Sequence, residues 1–235
     1  MWIFRLSVGI GCRNGIDEEL LASDCFGGAG GDSHHHGRGG AGVWAMTVVT
    51  INPSASSHDA WQTGPGVMTL TDEIKLTAAT SWAGLFLPAV PVASADTINS
   101  ATLYYKAYST TRDDPDIVWY AEDTDDAAVF TTFASNITSR TTTTASVTDT
   151  ATGIGTTNYR SVNIKSLLDE VKGRGGWVAG NDMALLGDAV TGCDIWIETY
   201  DKGSNIWYVE IDYTAAGGGG GVTLKSMYYA RVREG

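Results

Sequence analysis

The chain has 235 residues, 15 basic against 27 acidic, a formal net charge of −12 and 43% hydrophobic residues. That is enough apolar material for a core and too little charge for a disordered acidic tract. No run of about 18 uninterrupted apolar residues exists to span a membrane, and a body this acidic repels nucleic-acid phosphate.

Residues 1–45 do not read as a domain. MWIFRLSVGIGC is a short apolar stretch broken by Arg5, a weak secretory signal and a poor lipoprotein cleavage site. Eight of the sixteen residues from Gly27 to Gly42 are glycine, interrupted by His34, His35 and His36. Such a stretch has too much backbone entropy to pack and reads as a linker, with metal binding by the three histidines as the sharper alternative. Three cysteines, Cys12, Cys25 and Cys193, have no metal-site spacing. Cys12 and Cys25 could pair, and Cys193 reads as a small buried thiol. Met46 opens what looks like a fresh module. Translation from Met46 would make the head an upstream extension, which the intact mass of the native protein decides.

From Met46 the chain is a series of short β-type segments: 46–51, 67–70, 74–78, 82–87, 98–108, 116–121, 160–164, 183–187, 194–200 and 206–213. They are rich in Val, Ile, Thr, Trp and Tyr and several alternate apolar with polar. In the last two, Ile195, Ile197 and Thr199 share one face, as do Trp207, Val209, Ile211 and Tyr213. One segment breaks the pattern. Ile164, Leu167, Leu168 and Val171 recur at helical spacing, predicting an amphipathic helix over about 163–172. Ser161 or Asn163 would cap its start, and Gly173 would take the left-handed position at its end. Between Thr138 and Thr157 ten of twenty residues are Thr, an exposed strand or loop. The whole predicts an all-β protein, a two-sheet, jelly-roll-like sandwich with one short crossover helix.

After Thr214 come five glycines, Gly217 to Gly221, and then VTLKSMYYARVREG. Val222, Leu224, Met227, Tyr228 and Tyr229 make this segment an apolar, strand-like attachment tail able to join a sheet edge. Residues 46–214 hold 9 basic and 21 acidic side chains, residues 215–235 hold 3 and 1. Tail and body therefore attract, weakly.

Chemistry is sparse. Outside the Gly-rich tract His58 is the only histidine, no GxSxG or GxxxxGK[ST] occurs, and Gly153-Ile154-Gly155 lacks the further glycine of a dinucleotide fingerprint. The expectation is a protein that is not an enzyme. Asn136-Ile137-Thr138 is a glycosylation sequon. Seven acidic residues fall within 113–126. Glu122, Asp123, Asp125 and Asp126 form an oxygen-rich loop that is either solvated or holds a structural calcium ion. Eight Trp and ten Tyr exceed what a small β core needs. Trp61, Trp119, Trp196 and Trp207 are therefore candidates for stacking on sugar rings, each weighed against a place in the core.

Several phrases, in order, resemble a β-sandwich module that recurs in tailed-phage virion proteins and in secreted bacterial multidomain proteins. They are Thr97-Ile98-Asn99-Ser100-Ala101-Thr102-Leu103, Asp123-Thr124-Asp125-Asp126, Arg174-Gly175-Gly176-Trp177-Val178-Ala179-Gly180-Asn181 and Val209-Glu210-Ile211-Asp212-Tyr213-Thr214. Val209 stands where the module has Leu. The resemblance covers about 46–214 and implies a jelly roll without catalytic residues. It implies a place on a virion surface, as head decoration, tail or appendage component, or extracellular carbohydrate binding. The partners would be other subunits, including copies of itself, or host glycans. Trp177 would plug the sandwich end and Gly180-Asn181 turn the chain into strand 183–187.

Overall fold

The computed structural model describes residues 8–9, 46–64, 66–77, 80–203 and 206–217. In chain order its strands are β1 (Val8–Gly9), β2 (Met46–Ile51), β3 (Asp59–Gln62), β4 (Met68–Thr69), β5 (Ile74–Thr77), β6 (Trp82–Leu87), β7 (Thr97–Tyr105) and β8 (Asp113–Asp114). Then follow β9 (Asp116–Ala121), β10 (Val147–Thr150), β11 (Arg160–Asn163), the helix α1 (Lys165–Lys172), β12 (Met183–Ala189), β13 (Asp194–Ile197) and β14 (Tyr208–Thr214). Single 3₁₀ turns lie at Ser56–His58 and Tyr200–Lys202.

Eight of these strands form one long hairpin rolled up on itself. Its arms pair antiparallel as β2 with β14, β6 with β12, β7 with β11, and β9 with β10. Two further pairings, β14 with β7 and β12 with β9, join these arms into sheets. The result is a five-stranded sheet, β1-β2-β14-β7-β11, and a six-stranded sheet, β10-β9-β12-β6-β3-β4. This is jelly-roll connectivity, and the protein is an all-β sandwich. A third, three-stranded sheet, β5-β13-β8, adds to the two expected. Its Ile74, Leu76, Ile195 and Ile197 join the same core as the sandwich interior.

Alternation sets which side chains enter that core. Ile98, Ala101, Leu103 and Tyr105 of β7 meet Val209 and Ile211 of β14 on one inner face, with Leu85, Ile117, Trp119 and Leu185 on the other. A bulge at Asn99, where the β7–β14 register shifts, keeps Ile98 and Ala101 both inward although they are three apart. Across the inner face of the six-stranded sheet one row reads Trp61, Ala83, Gly187, Trp119, Val147. The small residues leave room for the indole: a methyl group at Gly187 would lie 2.8 Å from the Trp119 ring.

The outer face of the same sheet carries a second apolar cluster. Ala60, Phe86, Ala184 and Leu186 are covered there by Ala127, Phe130 and Ile137 from the long β9–β10 connection. Gly84 is required under Phe130, whose ring would stand 2.5 Å from any added Cβ.

Ile164, Leu167, Leu168 and Val171 are all buried, as the helical stripe requires. The Asn163 side chain accepts a hydrogen bond from the Lys165 N–H at 3.0 Å, beside the helix start. Gly173 corrects the expectation. Its φ of −73° is right-handed, and its N–H donates to the carbonyls of Asp169 and Glu170. Trp177 does plug the core, donating its indole N–H to the Val92 carbonyl at 2.8 Å, and Gly180 turns the chain at φ 97°.

Other boundaries also move. Segment 98–108 ends as a strand at Tyr105, with only an isolated bridge from Ala107 to Ile197, and 194–200 ends at Ile197 before the 3₁₀ turn. The threonine-rich stretch contains β10 and is not wholly exposed, since Thr143 and Asp149 are buried. Among the described residues no helix is long and apolar enough to cross a membrane.

Candidate functional site

The acidic loop at the end of β9 is held by cations and amides. Arg140 donates to Glu122 at 2.5 Å while its guanidinium lies 4.4 Å from the Phe130 ring centre. Arg174, just past α1, binds both Asp123 and Asp125, the latter at 2.7 Å. Asp126 accepts from the Asp182 N–H at 2.8 Å, and Asn181 donates to the Asp125 carbonyl at 2.9 Å. Gly176 lies against the Asp125 carboxylate, which would have to move to admit a Cβ there. The two phrases DTDD and RGGWVAGN thus meet and bond to each other, Arg174 lying 51 residues from Asp123 and 49 from Asp125. Glu170 of α1 adds two 2.7 Å bonds to the amides of Thr144 and Ala145.

Glu122, Asp123 and Asp125 already have positive partners, and Asp126 has a backbone amide. Among the described residues no group of three or more His, Cys, Asp or Glu is gathered to hold a metal ion. Chelation by EDTA is expected to leave the melting temperature within about 1 °C, because a metal stabilises only where it binds the folded state. A fall of several degrees would place calcium in the fold and overturn that expectation.

The rest of the acidic stretch is also engaged. Asp113 and Asp114 accept from the amides of Gly155 and Gly153, at 3.0 and 2.6 Å, and Arg112 forms a fork to Asp194 at 2.8 and 2.9 Å. The GIG turn, read as a failed dinucleotide motif, therefore wraps the protein's own carboxylates. In the sequon, Asn136 accepts from the Thr131 N–H at 3.0 Å and Thr138 accepts from Gln62 at 2.7 Å.

The four tryptophans separate. Trp119 and Trp207 are fully buried at 0% exposure, which corrects their candidacy: neither has a face to offer a sugar. Trp61 is half-buried against the core, and its indole N–H finds no acceptor among the described residues. Trp196 is half-buried with Lys75 at 5.0 Å and Arg112 at 5.8 Å from its ring centres. The sequence reading missed an outward group at the β7–β14 surface. Tyr104 stacks on Tyr208 at 4.7 Å, Tyr159 meets Tyr208 edge-on at 5.1 Å, and Lys106 lies 4.6 Å from the Tyr159 ring. The signal was available, since alternation places Tyr208 opposite the inward Trp207 and Val209.

Two buried polar clusters tie elements together. Asp149 of β10, in one sheet, accepts from Tyr105 and Arg160 of the other, the Arg160 Nε bond being 2.8 Å. Burial first, and then the Asp149 charge, push the Tyr105 hydroxyl well above the usual phenol range. Asp59 of β3 accepts from the Tyr200 N–H at 2.9 Å and the Trp207 indole at 3.1 Å. Burial raises its carboxyl to about 7, outweighing those two donors.

The nearest approach to a nucleophile–base set is spread over separate neighbours. His58 packs on Phe86, with ring centres 4.9 Å apart, and its Nδ1 accepts from the Ser54 N–H at 3.3 Å. Burial lowers its pKa. Burial also pushes the Cys193 thiol up to about 11, and its Sγ faces the Leu76 carbonyl, the setting of an unreactive thiol. Val222, Leu224, Met227, Tyr228 and Tyr229 of the attachment tail lie outside the described residues, as do the three consecutive histidines, Cys12 and Cys25.

The class these observations define is an all-β jelly-roll sandwich with a second apolar layer under an arginine-stapled loop. No protein-family model matches the chain, and no curated protein matches it.

Proposed function

We propose that this chain is a non-enzymatic structural protein, a jelly-roll sandwich displayed on or assembled into a virion or a comparable extracellular assembly. Head decoration, tail and appendage component are the roles its resemblance suggests. The observation that carries the reading is the edge at β2. Its sequence, MTVVTI, has no charge or proline to deter pairing, and Met46 and Val48 are exposed. Val8–Gly9, from beyond the Gly-rich tract, pairs antiparallel with Thr47 and Met46 on this edge. Strand addition from outside the body is the geometry by which β subunits join one another. Thr214, the last residue of β14, pairs with Met46, so the carboxyl-terminal segment departs at the same corner.

Deletion of residues 217–235, and separately of 1–45, is expected to reduce incorporation into the source particle, measured by mass spectrometry of purified particles. Unchanged incorporation of both truncated chains would remove the flanks from the mechanism.

A second reading, a carbohydrate-binding module, is favoured by one observation: an uncharged cleft beside the half-buried Trp82.

A further inference from the structure

Where β3 and β6 end, Gln62 and Trp82 stand directly across from each other, and a cleft of about 300 Å³ opens beside them. Its wall includes Thr63, Thr80, Ser135 and Thr138, and among the described residues no charged side chain lines it. We infer that this cleft binds one uncharged, polyhydroxylated ring, a single residue of a neutral saccharide, against Trp82. The inference rests on the carbohydrate-binding reading and names its site and ligand class.

Three features carry it. The first is the aromatic and hydroxyl pairing: the half-buried Trp82 indole borders the cleft, and the hydroxyls around it can exchange hydrogen bonds with a sugar's ring substituents. The second is how Gln62 is used. It is 3% exposed, its Oε1 accepts from the amides of Ile137 and Thr138 at 3.0 and 3.1 Å, and its Nε2 donates to the Thr138 hydroxyl at 2.7 Å. The Thr138 hydroxyl is thereby fixed as an acceptor toward Gln62, and its own proton remains to be donated.

The third feature is strain. Ser135 sits at φ 61°, a left-handed conformation unusual for serine, and its N–H donates to the Gly66 carbonyl at 2.8 Å. Gly66 itself lies at φ 84°, and a Cβ there would stand 2.4 Å from the Ser135 hydroxyl. Ser135, a wall residue held in a backbone conformation costly for anything but glycine, is the kind of outlier that gathers at ligand sites.

The absence of lining charge selects the ligand class. Among the described residues an anion would meet no cation in the cleft, and a body of net charge −12 around it, and a cation would meet no carboxylate there. The volume lies at the small end of ligand pockets, the scale of one ring and not of an oligosaccharide.

The test uses the full chain and saturation-transfer-difference NMR against glucose, galactose, mannose and N-acetylglucosamine at millimolar concentrations. Saturable binding of at least one sugar is expected, weakened about tenfold or more by Trp82→Ala, a loss near 1.4 kcal/mol. Thr80→Lys, on the exposed rim, should block the mouth equally while leaving the fold intact, and covers the case in which Trp82→Ala fails to fold. Binding that survives Thr80→Lys and a folded Trp82→Ala would overturn the site but leave the carbohydrate reading standing. Failure of every sugar to bind the folded full chain would overturn both.

Discussion

Replacing Asp59 with Asn should abolish most of a pH dependence in stability that is expected of the native chain between about pH 4 and 7. The Asp59 carboxyl is 1% exposed, and burial raises it from 3.8 to about 7 in the folded state. Between those values the folded protein holds a proton that the unfolded chain has released. The unfolded state binds fewer protons there, so stability falls as pH rises, by about 1.4 kcal/mol per unit. Below the unfolded value both states are protonated and the contribution is flat; above the folded value the loss is complete, on the order of 4 kcal/mol. Asn keeps an acceptor for the Tyr200 amide and the Trp207 indole but has no proton to lose. Urea unfolding at pH 4.5, 6 and 8, followed by tryptophan fluorescence, should show the variant gaining steadily on the native chain as pH rises. Parallel curves for the two proteins would show that Asp59 is ionised in the folded state without penalty. Burial also lowers the His58 pKa, so this imidazole adds a pH dependence of its own. The comparison must therefore be between variant and native chain at each pH.

The same residue marks where sequence pattern stops being informative. Alternation and helical spacing depend only on near neighbours, so they reveal the inward faces of β13 and β14 and the buried stripe of α1. The DAWQ segment that forms β3 inverts the rule, because its polar Asp59 and Gln62 are buried. They can be buried only because partners arrive from far along the chain: Tyr200 and Trp207 for one, Ile137 and Thr138 for the other. No local window contains those partners. The acidic loop has the same character. Its charge is plain in the sequence, but what neutralises it lies 18 residues away at Arg140 and 49 away at Arg174. A solvated loop or a calcium ion were the two expectations for carboxylates with no visible cation. For the tryptophans the pattern held more than composition did. Trp207 alternates in phase with Val209 and Ile211, and Trp119 with Ile117, so their burial was written in register, whereas the count of aromatics pointed outward. The cleft at Trp82 depends on Ser135 and Thr138 arriving from the β9–β10 connection, a contact that neither periodicity nor composition encodes.

The second large effect should come from the row that packs Trp119 over Gly187. Trp119→Ala removes one of the largest fully buried side chains, and a cost of about 3–5 kcal/mol is expected for an aromatic truncated in a core. Gly187→Ala attacks the same contact from the other side. Its added methyl would come within 2.8 to 3.0 Å of three atoms of the indole ring, and the ring has little room to retreat because it is itself enclosed between the sheets. Overpacking of this kind costs about 1–3 kcal/mol. The two changes must be coupled if that contact is the cause. In a Trp119→Leu background, where the smaller side chain leaves space, Gly187→Ala should be close to neutral, since alanine also loses less backbone entropy than glycine on folding. A double-mutant cycle measured by urea unfolding should therefore give an interaction energy of about 1 kcal/mol or more, with the double variant more stable than the sum of the single losses predicts. Additive losses would mean that Gly187 is needed for its own backbone and not for the ring. The indole N–H of Trp119, which has no acceptor among the described residues, sharpens the comparison. Trp119→Phe removes a buried donor that costs about 1–3 kcal/mol to leave unsatisfied. It should therefore be milder than its lost volume alone would suggest, and far milder than Trp119→Ala.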